Sequence, residues 1–156
     1  FCYTATATVH AAIGGATFTD SVDLSQTYLD WGRQNLALNG FSEVKHRMIR
    51  ADILDWIQHC ENRYDLILLD PPTFSNSKKM QNTWDVQRDH EALIVDTMRL
   101  LAPGGLLIFS NNHRKFSMSS RIEDEFQLEN KTQWSLDRDF KRGKPIHQCW
   151  FIRHQE

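Results

Sequence analysis

Apolar runs alternating with helix-period segments predict a doubly wound α/β sheet, mostly parallel with an antiparallel C-terminal edge. Carboxylates that close three of those runs support the same architecture. The clearest run, Tyr64-Asp65-Leu66-Ile67-Leu68-Leu69, stops at Asp70-Pro71-Pro72-Thr73-Phe74. A run of that length between breakers suits a strand buried on both faces. The prolines end the ladder, because neither has an N–H to give and each fixes φ. Asp70 then stands at the carboxyl end of a central strand, where open α/β sheets form their ligand crevice. Asp23 and Asp52 close two earlier runs, so all three carboxylates are expected on one rim.

In chain order, Ala5, Ala7, Ala11 and Ala12 suit a helix packed close to a sheet and ended by Gly14-Gly15. Thr17 to Val22 reads as a strand closing on Asp23. Ser25 is an N-cap for a helix with Tyr28, Trp31 and Leu36 at helical spacing, running to Asn39-Gly40. Arg47 to Asp52 is the next strand, and Ile53, Trp56, Ile57 and Cys60 share a helical face. After Asp70 a polar loop, Ser75 to Thr83, precedes a helix from about Asp85 to Leu101, with Val86, Leu93, Ile94 and Leu101 inward. Ala102-Pro103-Gly104-Gly105 reads as a sharp turn into the buried strand Leu106 to Ser110. A short helix near Ser119 to Phe126, a strand near Lys131 to Leu136 and a last strand from Ile146 to Arg153 complete the pattern.

At 156 residues and 40% hydrophobic content, the chain has the size and the core of one domain, spanning 1–156. No apolar run approaches the ~20 residues of a membrane span, and no secretory pattern is visible. Cys2, Cys60 and Cys149 are odd in number and lack metal-ligand spacing, as expected of reduced thiols in a cytoplasmic protein. The formal net charge of -2 carries no global nucleic-acid signature. Basic residues instead cluster at Lys78-Lys79, His113-Arg114-Lys115 and Lys141-Arg142-Gly143-Lys144. The chain opens at Phe1 inside what reads as a motif, so a fragment of a longer polypeptide is expected, with its first strand largely missing.

The strand ends also bear on the ligand. An acid closing the second strand of such a sheet is placed to accept both ribose hydroxyls of a nucleotide-like ligand, and one closing the third can take an adenine amino hydrogen. A dinucleotide site needs Gly-x-Gly-x-x-Gly in the first loop, so that the backbone reaches a pyrophosphate. The loop here, Tyr3-Thr4-Ala5-Thr6-Ala7, has no glycine, and no Walker sequence is present. S-adenosylmethionine carries no phosphate and is the cofactor that agrees with this loop.

Four segments carry a family resemblance: Asp70 to Lys78, Val86-Gln87-Arg88-Asp89-His90, Phe109-Ser110-Asn111-Asn112 and Ile146-His147-Gln148-Cys149-Trp150. They closely resemble the C-terminal half of the bacterial bifunctional 23S rRNA methyltransferases, and the resemblance extends over essentially the whole chain. It implies a Rossmann-like class I methyltransferase domain that forms 7-methylguanosine in 23S rRNA, beside an N-terminal half that methylates N2 of another guanine. The implied cofactor residues are Tyr3, Thr4 and Ala5 in the first loop, Asp23 at the ribose, Asp52 at the adenine and Asp70 near the methionine end. Ala5 departs from the family, which usually has glycine there; its methyl group is expected to narrow the methionine pocket.

Asp70, Pro71, Pro72, Thr73 and Phe74 are the catalytic candidates. Phe74 is suited to stacking on a flipped base or to filling the core under its loop. Thr73 is suited to the base edge or to holding the turn. Lys78, Lys79, Arg114 and Lys115 are candidate phosphate contacts, and Asn111 or Asn112 is suited to a guanine edge or to a turn. His90, His113 and His147 have no carboxylate or Cys at ligand spacing, so no metal is expected. Two alternatives stand beside this reading. Methylation of cytosine C5 needs an enzyme Cys to add to C6; related enzymes carry it just after the strand equivalent to Leu106–Phe109, where this chain has Ser110-Asn111-Asn112. A non-catalytic RNA-docking module of the same fold is the other.

Overall fold

Small residues open the chain as the sequence suggests: Thr8, Val9 and Ala12 are the buried stripe of helix α1 (Thr6–Ile13), which ends at Gly14-Gly15 with Gly15 at φ 95°. The computed structural model describes residues 1–75, 83–140, 143 and 145–155. The chain divides into two units, Phe1–Trp56 and Ile57–Glu156.

In the first unit, β1 (Thr19–Asp23) and β2 (His46–Arg50) pair in parallel, with Asp23 opposite Arg50. Helix α2 (Gln26–Leu38) connects them, its first turn capped by the Ser25 hydroxyl. Leu29 and Leu36 of α2 form a buried cluster with Ala5, Val9 and Met48. Helix α3 (Ile53–His59) follows β2 and stops one residue short of Cys60.

The second unit holds a four-stranded sheet in the order β3-β6-β8-β7. Here β3 (Tyr64–Leu69) is parallel to β6 (Leu101–Asn111), while β8 (Gln148–His154) is antiparallel to both β6 and β7 (Phe126–Asn130). This is the expected antiparallel C-terminal edge. Helix α4 (Val86–Met98) contacts β6 and helix α5 (Ser120–Glu125). One face of the sheet is buried through Leu69, Leu107, Phe109 and Ile152.

Four expectations are corrected. First, β3 is not buried on both faces: side chains alternate, so Leu66 and Leu68 point to the opposite face and are 54% and 51% exposed. Second, Ala102–Gly105 is a bulge inside β6 rather than a turn before it. Tyr64 pairs with Leu101 and Leu66 with Leu106, so β6 spends extra residues there, with Gly104 at φ 74°. The Arg153 guanidinium pins the bulge through the carbonyls of Gly104 (3.0 Å) and Gly105 (3.1 Å), and Leu101 starts this strand instead of ending α4. Third, the strand expected at Lys131 to Leu136 lies earlier, as β7. Thr132–Ser135 is a one-turn helix, α6, because Asn130 Oδ1 accepts the Thr132 N–H (3.0 Å) and turns the chain. Fourth, the ends of the polar loop after Asp70 are paired, β4 (Phe74–Ser75) with β5 (Trp84–Asp85). Among the described residues no helix is long and apolar enough to cross a membrane.

Candidate cofactor and target sites

The first loop holds an unusual backbone. Tyr3 (φ 50°) and Ala5 (φ 56°) both occupy the left-handed region, which disfavours residues with a Cβ by about 1–2 kcal/mol. Ala5 is buried and is the residue from which α1 starts. The restraint comes from Asp23, at the end of β1. Its Oδ2 accepts the Tyr3 N–H (3.0 Å) and its Oδ1 accepts the Ser25 N–H (2.9 Å). One carboxylate thus joins the loop before α1 to the cap of α2 by two charge-assisted bonds. An ionised carboxylate has about four acceptor positions, so capacity remains for a pair of hydroxyls, and the residues present fit a ribose. Asp52, two residues past β2, accepts the Leu54 N–H on Oδ1 (3.0 Å), and its carbonyl takes the Trp56 N–H (2.8 Å). It caps α3, as Asp commonly does.

In the second unit Asp70 follows β3 and is exposed; the Ser110 hydroxyl, from β6, donates to its Oδ1 at 2.6 Å. The residues after it form a lip held from behind. The Trp84 indole donates to the Pro72 carbonyl (2.7 Å), and the Val86 N–H donates to the Thr73 carbonyl (3.0 Å). Trp84 is 2% exposed and Phe74 is 57% exposed. The ring in the core is therefore Trp84, and the core alternative for Phe74 is set aside. Sequence reasoning missed Trp84, whose only signal was an aromatic ring at the edge of a polar loop.

Asp85, opposite Phe74 in the β4–β5 pair, is also the cap of α4, and its Oδ1 accepts the N–H groups of Gln87 (2.9 Å) and Arg88 (3.1 Å). Helix α4 in turn holds the segment after β6. The Gln87 side-chain amide exchanges two bonds with the Ser117 backbone (3.0 and 2.9 Å), and His90 Nε2 accepts the Ser119 N–H (3.0 Å). His90 Nδ1 faces the Val86 and Gln87 carbonyls, both at 3.0 Å, so this network assigns its proton to Nδ1. His90 is a connector.

Asn111 is fully buried, and its Oδ1 accepts the His113 N–H (3.0 Å); it caps a turn and offers no edge to a base. Asn112, Arg114 and Lys115 are exposed. Lys78, Lys79, Lys141, Arg142 and Lys144 lie outside the described residues. Asp70, Ser110 and Asn112 share a pocket of about 320 Å³ with Trp134, His147 and Cys149. His147 Nε2 lies 2.7 Å from the Ser135 hydroxyl. Burial pushes the Cys149 thiol above its ordinary range; a Ser135 hydrogen bond opposes this and the Asp70 charge reinforces it. A thiol in that state is a poor nucleophile at neutral pH.

Known proteins extend this picture. Residues 1–136 match the protein family described as S-adenosylmethionine-dependent methyltransferase. The chain is 60% identical over 154 residues to the ribosomal RNA large subunit methyltransferase K/L of Hahella chejuensis, covering 99% of this chain and 21% of that protein. It is 55% identical over 152 residues to the protein of the same name from Pseudomonas aeruginosa, covering 97% of this chain and 21% of that protein. The chain thus spans about a fifth of the length of these curated relatives. Among solved structures, that of SMU.776 complexed with SAH superposes with a TM-score of 0.80 at 26% identity, covering 97% of this chain and 43% of that one. A SAM-dependent methyltransferase from Agrobacterium tumefaciens shares the fold, with a TM-score of 0.69 at 22% identity, covering 99% of this chain and 54% of that one. Its fold is thus the Rossmann-like one of these enzymes, and the chain belongs to the S-adenosylmethionine-dependent methyltransferase family.

Proposed function

We propose that residues 1–156 are a catalytic domain that methylates N7 of a guanine in large-subunit (23S) rRNA, in the cytoplasm. The observation that carries this reading is the 60% identity, over 99% of the chain, to a ribosomal RNA large subunit methyltransferase K/L. The relatives' greater length also supports a larger protein; that its N-terminal half methylates N2 of another guanine is part of the same proposal.

Bound S-adenosylmethionine supplies the methyl group. The chain's own residues hold and aim. Tyr3, Thr4 and Ala5 hold the methionine part, Asp23 accepts the ribose hydroxyls and Asp52 an adenine amino hydrogen. Guanine N7 has an in-plane lone pair, so it needs orientation and no deprotonation. Asp70 steadies the cationic end of the cofactor and orients the guanine, acting by charge and position. Phe74, exposed at the lip, stacks on the flipped base, while Pro71, Pro72 and Thr73 fix where that ring stands. Asn112 contacts the guanine edge; Arg114 and Lys115, with Lys78 and Lys79, contact phosphates. Cytosine C5 chemistry is disfavoured, because the only cysteine in the pocket with Asp70 is the protonated Cys149.

The test replaces guanosine by 7-deazaguanosine in the RNA. Single-turnover methyl transfer by the full-length protein should vanish while RNA binding barely changes. Transfer to guanosine at saturating substrate should stay flat from mildly acidic to mildly alkaline pH, because no protein proton moves. Continued methylation of the 7-deaza RNA would overturn the N7 assignment, and failure to bind S-adenosylmethionine at all would favour the docking module.

A further inference from the structure

Tyr3, Thr4 and Ala5 of the first loop are each met by one residue of α2. The Tyr3 ring stands edge-on to Tyr28, with centroids 4.6 Å apart. The Thr4 carbonyl accepts a hydrogen bond from Asn35 Nδ2 (2.9 Å). The buried methyl group of Ala5 lies over Gly32, where a Cβ would stand 3.0 Å from Ala5 Cβ and 3.1 Å from Met48 Sδ. Tyr28, Gly32 and Asn35 are spaced four and three apart, so they form a single stripe on the helix.

We infer that this stripe positions the first loop, and that Gly32 is the residue that lets Ala5 keep its left-handed conformation under the cofactor. The inference rests on the reading of Tyr3-Thr4-Ala5 as the cofactor loop. Gly32 sits in the middle of a 13-residue helix, where glycine is a poorer choice than alanine. Its position is explained by what lies opposite. Ala5 cannot retreat, being 1% exposed, in the left-handed region and at the start of α1. Close packing leaves no slack at such a contact. The Met48 thioether has rotamers with which to yield; the Ala5 methyl group moves only if the loop backbone moves. A side chain at position 32 is therefore felt first in the loop. Asn35 holds the same loop at the next residue, because the Thr4 carbonyl it binds lies one residue before Ala5.

The stripe can be separated from plain helix stability, because the two predict opposite signs. In the full-length protein, Gly32→Ala should lower S-adenosylmethionine affinity about tenfold or more by calorimetric titration, a change of about 1.4 kcal/mol. Its melting temperature should hold or rise, since alanine is the better helix residue. Adding Ala5→Gly should restore most of the affinity by clearing the overlapping methyl group. Asn35→Ala, which adds no bulk, should lower affinity about three- to tenfold, and it decides the matter if Gly32→Ala does not fold. Wild-type affinity in Asn35→Ala and in a folded Gly32→Ala would overturn the inference, as would a loss in Gly32→Ala that Ala5→Gly fails to relieve. Asp23→Ala is the control for the underlying reading. If it loses the cofactor while the stripe variants keep it, only the stripe is wrong; if it too binds normally, the cofactor-loop reading falls.

Discussion

Asp23 and Asp70 are the same residue type in a similar local setting, a carboxylate at the carboxyl end of a parallel strand, yet the protein treats them differently. Asp23 is gripped by backbone, with one oxygen on the Tyr3 amide and the other on the Ser25 amide. Among the described residues the side-chain donor to Asp70 is the Ser110 hydroxyl, and Asp70 stands exposed before a stiff Pro71-Pro72 lip. Backbone amides cannot rotate away, so the first arrangement is built to hold one geometry. A hydroxyl can, so the second leaves its carboxylate more freedom to turn. The contrast between holding and presenting organises what should happen when each is altered.

Asp23→Ala removes the grip entirely. With two charge-assisted bonds to ribose at about 1.5–3 kcal/mol each, cofactor affinity should fall at least about a hundredfold by calorimetry, with circular dichroism showing a folded protein. Unchanged affinity would reduce Asp23 to a strand-end cap. On the presenting side, Phe74→Ala should leave cofactor affinity alone and slow transfer to RNA. Stacking is worth about 1–3 kcal/mol per base, so single-turnover rates should drop by about five- to a hundredfold. Because Phe74 is 57% exposed, its loss should not disturb the fold. Ser110→Ala should have a smaller effect, about three- to tenfold on the rate, from one hydroxyl bond to a solvated carboxylate. An equal loss for Ser110→Ala and Asp23→Ala in cofactor binding would erase the distinction between the two ends. Cys149→Ala should change the rate by no more than about twofold, and no covalent RNA adduct should appear with the wild type. Burial raises the folded-state thiol pKa above the unfolded one. Its contribution to stability is thus intact at neutral pH and lost as pH climbs past the ordinary thiol range.

The strands were readable where one signal dominated. Tyr64 to Leu69 is apolar and ends in two prolines, and no helix competes for it. What that run did not reveal is that Leu66 and Leu68 face outward, because periodicity cannot say which faces receive a partner. Phe126–Asn130 was misassigned for a local reason: Ile122 and Phe126 sit four apart, so the first residue of β7 reads as the last of α5. The strand is then expected at Lys131 to Leu136, where Thr132 and Trp134 are β-prone but lose to the Asn130 side chain that turns the chain there. At the sites, the acidic strand ends and the Asp70-to-Phe74 lip stood out because carboxylates close three apolar runs and two prolines follow one of them. Trp84, Gly32 and Asn35 did not, since their roles depend on contacts with residues 12, 27 and 31 positions away. No window of sequence spans those distances. Asn111 and Asn112 are adjacent and chemically identical; only folding distinguishes the buried cap from the exposed side chain.

The ties around α4 have a consequence in time. Pro72 and Thr73 are fastened to Trp84 and Val86, and the same helix fastens Ser117 through Gln87 and Ser119 through His90. The lip that carries Phe74 and the segment that carries Arg114 and Lys115 are therefore tied together around α4 and should open as one cooperative unit. In native-state hydrogen exchange, the amides of Val86, Ser117 and Ser119 should share one opening free energy and respond together to denaturant. An RNA bound as proposed would then feel the lip as a fixed neighbour, and the distance from Arg114 and Lys115 to the Phe74 ring would survive thermal motion on either side.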